Sequence, residues 1–334
     1  MNFKRLVMFT TVLTFCLIML GAYVRLSDAG LGCPDWPGCY GKLTPTQAAA
    51  EIDRAVEIQG GEHGPVSHPK AWKEMVHRYV ASFLGLLIIA IAVMAWRKRE
   101  ELQQSPWLAT SLVGLVCLQG AFGAWTVTML LKPAIVTIHL IGGMLILSML
   151  AWLWLRQTTP AKTVTPPRDL SHLKWLARLG LAVVSVQIVL GGWVSTNYAA
   201  VVCTDFPTCQ GSLWPEMEFD HAFHAIRDLG ETPDGEIMSI QSLTAIHMVH
   251  RLGAMVVTLV IGALAVALWR HPGTQVLSIK VSAVLTLQIL MGIGNVVFQL
   301  PLWLAVAHNG GAALLLVTLI LVNYRVAAKV HHSS

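Results

Sequence analysis

Charge is scarce in this 334-residue sequence: 12% of it is Asp, Glu, Lys or Arg, where soluble domains carry about 25%. With 55% hydrophobic residues and a mean hydropathy of +0.61, that shortage excludes an ordinary soluble domain and points to a membrane chain. No basic, aromatic-rich patch is present, so the net charge of +5 carries no nucleic-acid signal. The first apolar run also lacks the marks of a signal peptide. Its flank Arg25-Leu26-Ser27-Asp28 offers no small-residue cleavage site. Gly30-Leu31-Gly32-Cys33 does not put a leucine three residues ahead of the cysteine, as a lipoprotein site would. The run reads as a first transmembrane helix.

What is there is apolar length. Eight runs near the roughly 20 residues that a bilayer requires fall at 6–26, 74–96, 107–130, 134–155, 175–196, 242–268, 279–300 and 303–324. The expected fold class is an all-α membrane protein, its eight transmembrane helices forming two pseudo-symmetric four-helix bundles. Pro133 and Pro301 sit in very short connections, so the third and fourth spans, and the seventh and eighth, form tight hairpins. Fourteen of the 23 Lys and Arg residues fall on short segments of one face: Lys4, Arg5, Arg97, Lys98, Arg99, Arg156, Lys162, Arg168, Lys174, Arg178, Arg270, Lys280, Arg325 and Lys329. Positive charge marks the cytoplasmic side, which puts both termini inside and the long loops 27–73 and 197–241 outside. Lys132 is the exception.

The two halves repeat. Gly21-Ala22-Tyr23-Val24 recurs as Gly191-Gly192-Trp193-Val194, and Cys33-Pro34-Asp35-Trp36-Pro37-Gly38-Cys39 as Cys203-Thr204-Asp205-Phe206-Pro207-Thr208-Cys209. Glu74-Met75-Val76-His77-Arg78 recurs as His247-Met248-Val249-His250-Arg251. Gln119, Gly123 and His139 recur as Gln288, Gly292 and His308. Four helices per half make the repeats parallel, which divides the chain into 1–160, a cytoplasmic linker 161–174, and 175–334.

Of 13 histidines, five lie in the spans: His77, His139, His247, His250 and His308. A lone buried histidine is more often a packed core residue than a ligand. Here His77 and His139 open two helices of the first half, and His250 and His308 open two of the second. Each pair is expected at one depth, one to two turns below the outer surface. Two imidazoles facing each other at one depth are what six-coordinate haem iron needs at its axial positions, and polar groups in lipid are usually functional. Metal transport is the competitor, but its site would lie near the midplane with carboxylates or thiols converging. Cys16 and Cys117 have no repeat partners and read as small packing residues. Arg78 and Arg251 follow the histidines near the water interface and are candidates for haem propionates, with snorkelling as the plain alternative. The loop histidines His63, His68, His221 and His224, and His331 and His332 at the end, are given no role.

Glu74 lies one turn before His77 on the same helical face, and the other half has His247 there. At the membrane boundary a solvated carboxylate is the plain reading. The functional one is a proton acceptor beside one haem and not the other, hence one catalytic site and one electron carrier. Cys33/Cys39 and Cys203/Cys209 each enclose five residues on the oxidising side. They read as structural disulfides lidding the pockets, a redox-active pair being the alternative. Zinc would need thiolates from both halves to converge.

Taken together, E-M-V-H-R at 74–78, H-M-V-H-R at 247–251, histidines at 139 and 308, and C-x5-C in both outer loops resemble the haem A synthase family. The resemblance runs from about residue 5 to 325 and is to the bacterial, two-disulfide type. It implies oxidation of a ring methyl of haem O to the formyl group of haem A, by two successive hydroxylations, for cytochrome oxidase. It further implies that His77 and His139 hold the substrate haem O, that Glu74 is the catalytic carboxylate, and that His250 and His308 ligate a cofactor haem b. Implied partners are haem O, membrane lipid, and haem O synthase or cytochrome oxidase subunits, with a homo-oligomer left open. Without the N-terminal extension of mitochondrial members, a bacterial inner membrane is the expected home. The competing readings are a bis-His b-type cytochrome that only passes electrons, and a haem transporter or chaperone.

Overall fold

The computed structural model describes residues 2–158 and 173–327. The expected linker 161–174 lies outside them except for its last two residues, as do Lys162, Arg168, Lys329, His331 and His332. Among the described residues, eight helices are long and apolar enough to cross a membrane: α1 (Phe3–Leu26), α3 (His68–Arg97), α5 (Trp107–Thr128), α6 (Pro133–Thr158), α7 (Leu173–Thr196), α8 (Ile240–Trp269), α9 (Gln275–Val297) and α10 (Leu302–Ala327). Two shorter ones, α2 (Ala49–Ile58) and α4 (Arg99–Leu102), were not legible as apolar runs. Helices suit lipid because they satisfy every backbone polar group within the segment.

The eight spans match the expected runs, with one consequential difference. α3 starts at His68, six residues before the expected 74, and α8 at Ile240 rather than 242. Polar residues such as Lys70 and Lys73 hide this first stretch of α3 from a hydropathy reading. The Ser67 hydroxyl, which accepts from Lys70 N, and a proline in the first turn start the helix all the same. Ser239 does likewise for α8 by accepting from Ser242 N. Glu74 therefore sits nearly two turns inside a helix, not at its edge.

The two tight hairpins form as expected. Between α5 and α6, Leu130 and Leu131 take positive φ, as Gln299 and Leu300 do between α9 and α10. Each turn closes with an amide reaching back five residues, Leu131 N to Thr126 O at 2.9 Å and Leu300 N to Asn295 O at 2.7 Å. Lys132, the basic residue on the wrong side, pairs with Asp228 of the second outer loop at 3.1 Å.

Packing follows one order in both halves. α1, α3, α5 and α6 make a ring of neighbours, and so do α7, α8, α9 and α10. The halves meet where α1 and α6 pack on α10 and α6 packs on α7. One apolar cluster fills the first ring, with Leu17, Ile88, Leu112 and Leu150 buried in it. A larger one fills the second and reaches Met144 and Leu147 of α6. At the outer end Arg25 crosses between halves: Nη1 donates to the Tyr198 hydroxyl at 2.8 Å and Nη2 to Ser195 O at 3.0 Å. Tyr198 in turn donates to Asp28 at 2.9 Å.

Candidate functional site

Each span histidine of the two pairs is set by a glycine on the neighbouring helix. Built on these glycines, a Cβ would stand 3.0 Å from His77 Cε1 at Gly21, 3.2 Å from His139 Cε1 at Gly123, and 3.1 Å from His250 Cε1 at Gly191 and from His308 Cε1 at Gly292. Carbon contacts are comfortable at about 3.5–4.0 Å, so a side chain at any of these glycines would press the ring out of its place by a few tenths of an ångström. His77 and His139 are near enough to interact electrostatically, and so are His250 and His308. Nδ1 of His77, His139 and His308 is sealed from solvent without a hydrogen-bond partner.

Glutamines tie three of the four histidines to the neighbouring helix, one of them through the backbone carbonyl alone. Gln119 Nε2 donates to His139 O at 2.7 Å. Gln187 Nε2 donates to His250 O at 2.9 Å and lies 3.0 Å from its Nδ1. Gln288 Nε2 lies 3.5 Å from His308 Nε2. In each case the histidine's helix carries a glycine three residues on, Gly142, Gly253 or Gly311, and a Cβ there would collide with the glutamine's Oε1.

Above the first pair sits the acid. Glu74 is 4% exposed, so the solvated reading fails. Its Oε2 accepts from Cys33 N at 2.9 Å and its Oε1 from Arg78 Nη2 at 2.5 Å. The loop it touches is closed by a Cys33–Cys39 disulfide, and Cys203–Cys209 closes its counterpart. Arg78 Nη1 also donates to Asp35 O at 2.7 Å and Gly38 O at 2.6 Å. Asp35 stiffens the same loop by accepting from Tyr40 N and Gly41 N. Disulfide, arginine and carboxylate thus form one unit over the start of the site.

The second half repeats the frame without the acid. Arg251 donates to Thr208 O at 2.8 Å and Asp205 O at 3.0 Å, while its Nε is buried without a partner. The Thr208 hydroxyl and the amides of Gly211 and Gln210 hold the exposed Asp205 carboxyl below the usual carboxylate range. His247, in the place of Glu74, is buried and bonds Ala199 O through Nδ1 at 2.9 Å. It is a strut for the loop.

Among the described residues, no cluster of three or more His, Cys, Asp or Glu could hold a metal ion; the histidines come in pairs instead. The structure brings together Glu74, Arg78 and the Cys33–Cys39 loop in the first half, and Arg251 with the Cys203–Cys209 loop in the second. It corrects the reading of Cys16 and Cys117, which are exposed on α1 and α5 rather than packed inside. Gln187 and the pairing of each histidine with a glycine escaped the sequence reading. Their signal is Gln-x3-Gly on one helix and His-x2-Gly on the next, three times over.

Likeness to one family and to three named relatives bears on identity. The pattern of the cytochrome oxidase assembly protein family matches residues 4–320. Over 326 residues the chain is 41% identical to the haem A synthase of Shewanella oneidensis, covering 97% of this chain and 96% of that one. It is 28% identical over 330 residues to the haem A synthase of a Caulobacter species, covering 92% and 91%, and 25% identical over 227 residues to that of Alkalihalophilus pseudofirmus, covering 65% and 68%.

Proposed function

Since the chain belongs to the cytochrome oxidase assembly protein family, we propose that it is a haem A synthase, a multi-pass membrane oxidoreductase that acts on haem O. Similarity along nearly the whole chain to a named haem A synthase supports this. The fit to haem rests on two observations. Each pair offers two imidazoles packed closely on glycine backbone, and three of the four rings keep a buried Nδ1 unused. Such donor sets suit haem iron.

In this reading 1–160 and 175–334 each carry one site. His77 and His139 hold the substrate haem O, and His250 and His308 hold a haem b that supplies one-electron transfer. The ring methyl becomes –CH2OH, then the geminal diol –CH(OH)2, which loses water to leave the formyl group. Each hydroxylation is a two-electron oxidation of that carbon. With water as the oxygen source, two electrons pass to dioxygen or another external acceptor and two protons are released. With dioxygen as the source, its second atom leaves as water, made with two electrons and two protons from an external donor. Glu74, oriented by Cys33 N–H and Arg78, takes a proton beside the first pair. Arg78 and Arg251 pair with propionates, Arg251 through the Nε that lacks a protein partner. The cystine loops lie on the periplasmic side of a bacterial inner membrane, with both termini cytoplasmic, and haem O synthase or cytochrome oxidase subunits are the protein partners.

The observation that carries this is the asymmetry: two histidine-pair sites in one frame, with an acid over only the first. Co-expression with a haem O synthase in a host that lacks haem A, followed by chromatography of extracted haems, tests it. Haem A in the extract is expected. Haem b alone, with haem O supplied, would favour a b-type cytochrome. Isotope from labelled dioxygen in the formyl oxygen would reject capture of water at the methyl carbon, and isotope from labelled water would support it.

A further inference from the structure

Each cystine loop lies beside a span as well as over it. In the first half the loop descends along α3. Its Cys33 amide meets Glu74, its Asp35 and Gly38 carbonyls meet Arg78, and Leu43 O accepts from the Tyr79 hydroxyl at 2.5 Å. Glu74 is buried, but Tyr79 is not. Trp72, Val76, Tyr79, Phe83 and Leu86 are all exposed and recur at steps of four and three, so they share one face of α3. That apolar face continues down the span and meets lipid. In the second half Arg251 holds Asp205 O and Thr208 O in the same way, and Leu252, the counterpart of Tyr79, is exposed too. The roughly 30 Å of hydrocarbon in a bilayer takes about 20 residues of helix. Counted outward from Arg97 in the last turn of α3, it ends near His77. Counted from Arg270, the C-cap of α8, it ends near His250. Both loops are therefore held at the outer rim of the hydrocarbon.

The loops carry what such a place selects. Leu43 is 77% exposed, and Leu213, its repeat counterpart, 69%. Trp36 and Phe206, again counterparts, are both exposed, and Trp214 adds a further ring to the second loop. Aromatic rings favour the level of the headgroups, where an apolar body and a polar edge are both accommodated. A loop in water has no use for the same exposed leucine and aromatic in both copies. We propose that the two cystine loops dip into the outer interfacial layer of the bilayer. Trp36 and Leu43 of the first loop, and Phe206, Leu213 and Trp214 of the second, lie against phospholipid. None of this depends on haem. The first loop then forms the wall between the Glu74 pocket and lipid: Cys33 touches the buried acid at one end, and Leu43 meets the membrane at the other.

Site-directed spin labelling tests this on the full chain in vesicles of phosphatidylcholine and phosphatidylglycerol, with Cys16 and Cys117 replaced by serine. A nitroxide at L43C or L213C is expected to collide more with oxygen, which concentrates in lipid, than with a water-soluble nickel chelate. The ratio of the two should approach that at L86C, on the lipid-facing stripe. It should exceed severalfold the ratio at E62C, on the exposed part of the first outer loop. A nickel-dominated signal like that at E62C would overturn the proposal. So would a label shielded from both reagents, the sign of a protein partner at the loop. Should a new cysteine disturb the cystine, tryptophan emission decides the matter. The component that W36F removes is expected to be quenched in the parent by phospholipid brominated near the glycerol end of its chains. No quenching of that component would equally overturn the proposal.

Discussion

Replacing Gly191 by alanine should weaken haem binding at the proposed second site while leaving the fold intact. The new Cβ would stand 3.1 Å from His250 Cε1. Carbon pairs pack best at about 3.5–4.0 Å, so the ring must retreat by roughly 0.4 Å or more. His250 is also tied to Gln187 at two points, which resists that retreat. Overpacking of this kind costs about 1–3 kcal/mol. At about 1.4 kcal/mol per factor of ten, haem affinity falls roughly 5- to 150-fold. Alanine is the better helix former by about 1 kcal/mol, so helix formation itself does not suffer. Gly262 of α8, the helix that carries His250, supplies the control, since a Cβ there meets nothing within 4 Å. Haem titration with pyridine haemochrome quantitation reads the outcome. Equal loading of G191A and G262A would refute the idea that the glycine seats the ligand.

Glu74→Gln keeps an oxygen for Cys33 N and should still bind haem while haem O or a hydroxylated intermediate accumulates; normal haem A in extracts would remove Glu74 from the chemistry. The same variant leaves Arg78 without its buried counter-ion, which costs up to about 3–5 kcal/mol, softened by the loop carbonyls Arg78 keeps, so its melting temperature should also drop. Replacing Cys33 and Cys39 together by serine opens a seven-residue ring worth about 2 kcal/mol by loop entropy; a thermal midpoint unchanged from the parent would show that the cystine does not brace the cap over Glu74. Lys132→Ala removes an exposed pair with Asp228, and such pairs contribute about 0–1 kcal/mol, so stability and haem content should hardly change; loss of haem would reveal a role for that outer-loop tie.

Much of the molecule could be read directly from the chain. Apolar run length marked all eight spans, because a bilayer demands a minimum of about 20 residues per helix. Pro133 and Pro301 marked the short connections that the positive-φ pairs Leu130–Leu131 and Gln299–Leu300 complete. Repetition of E-M-V-H-R as H-M-V-H-R exposed the histidine pairs and the odd carboxylate. Hydropathy failed where local chemistry overruled it: Ser67 starts α3 among lysines, and that shift turns Glu74 from a rim residue into a buried one.

The composition and spacing of this chain alone determined that it crosses a membrane eight times, in two matching halves that each present a histidine pair. Those are properties of a residue and its near neighbours along one helix. Only the tertiary structure decided what each side chain meets. Gly21 meets His77 from 56 residues away, Cys33 reaches Glu74 across 41, and Cys16 and Cys117 turn outward. Packing between helices sets these contacts, and periodicity within one helix does not name its partner.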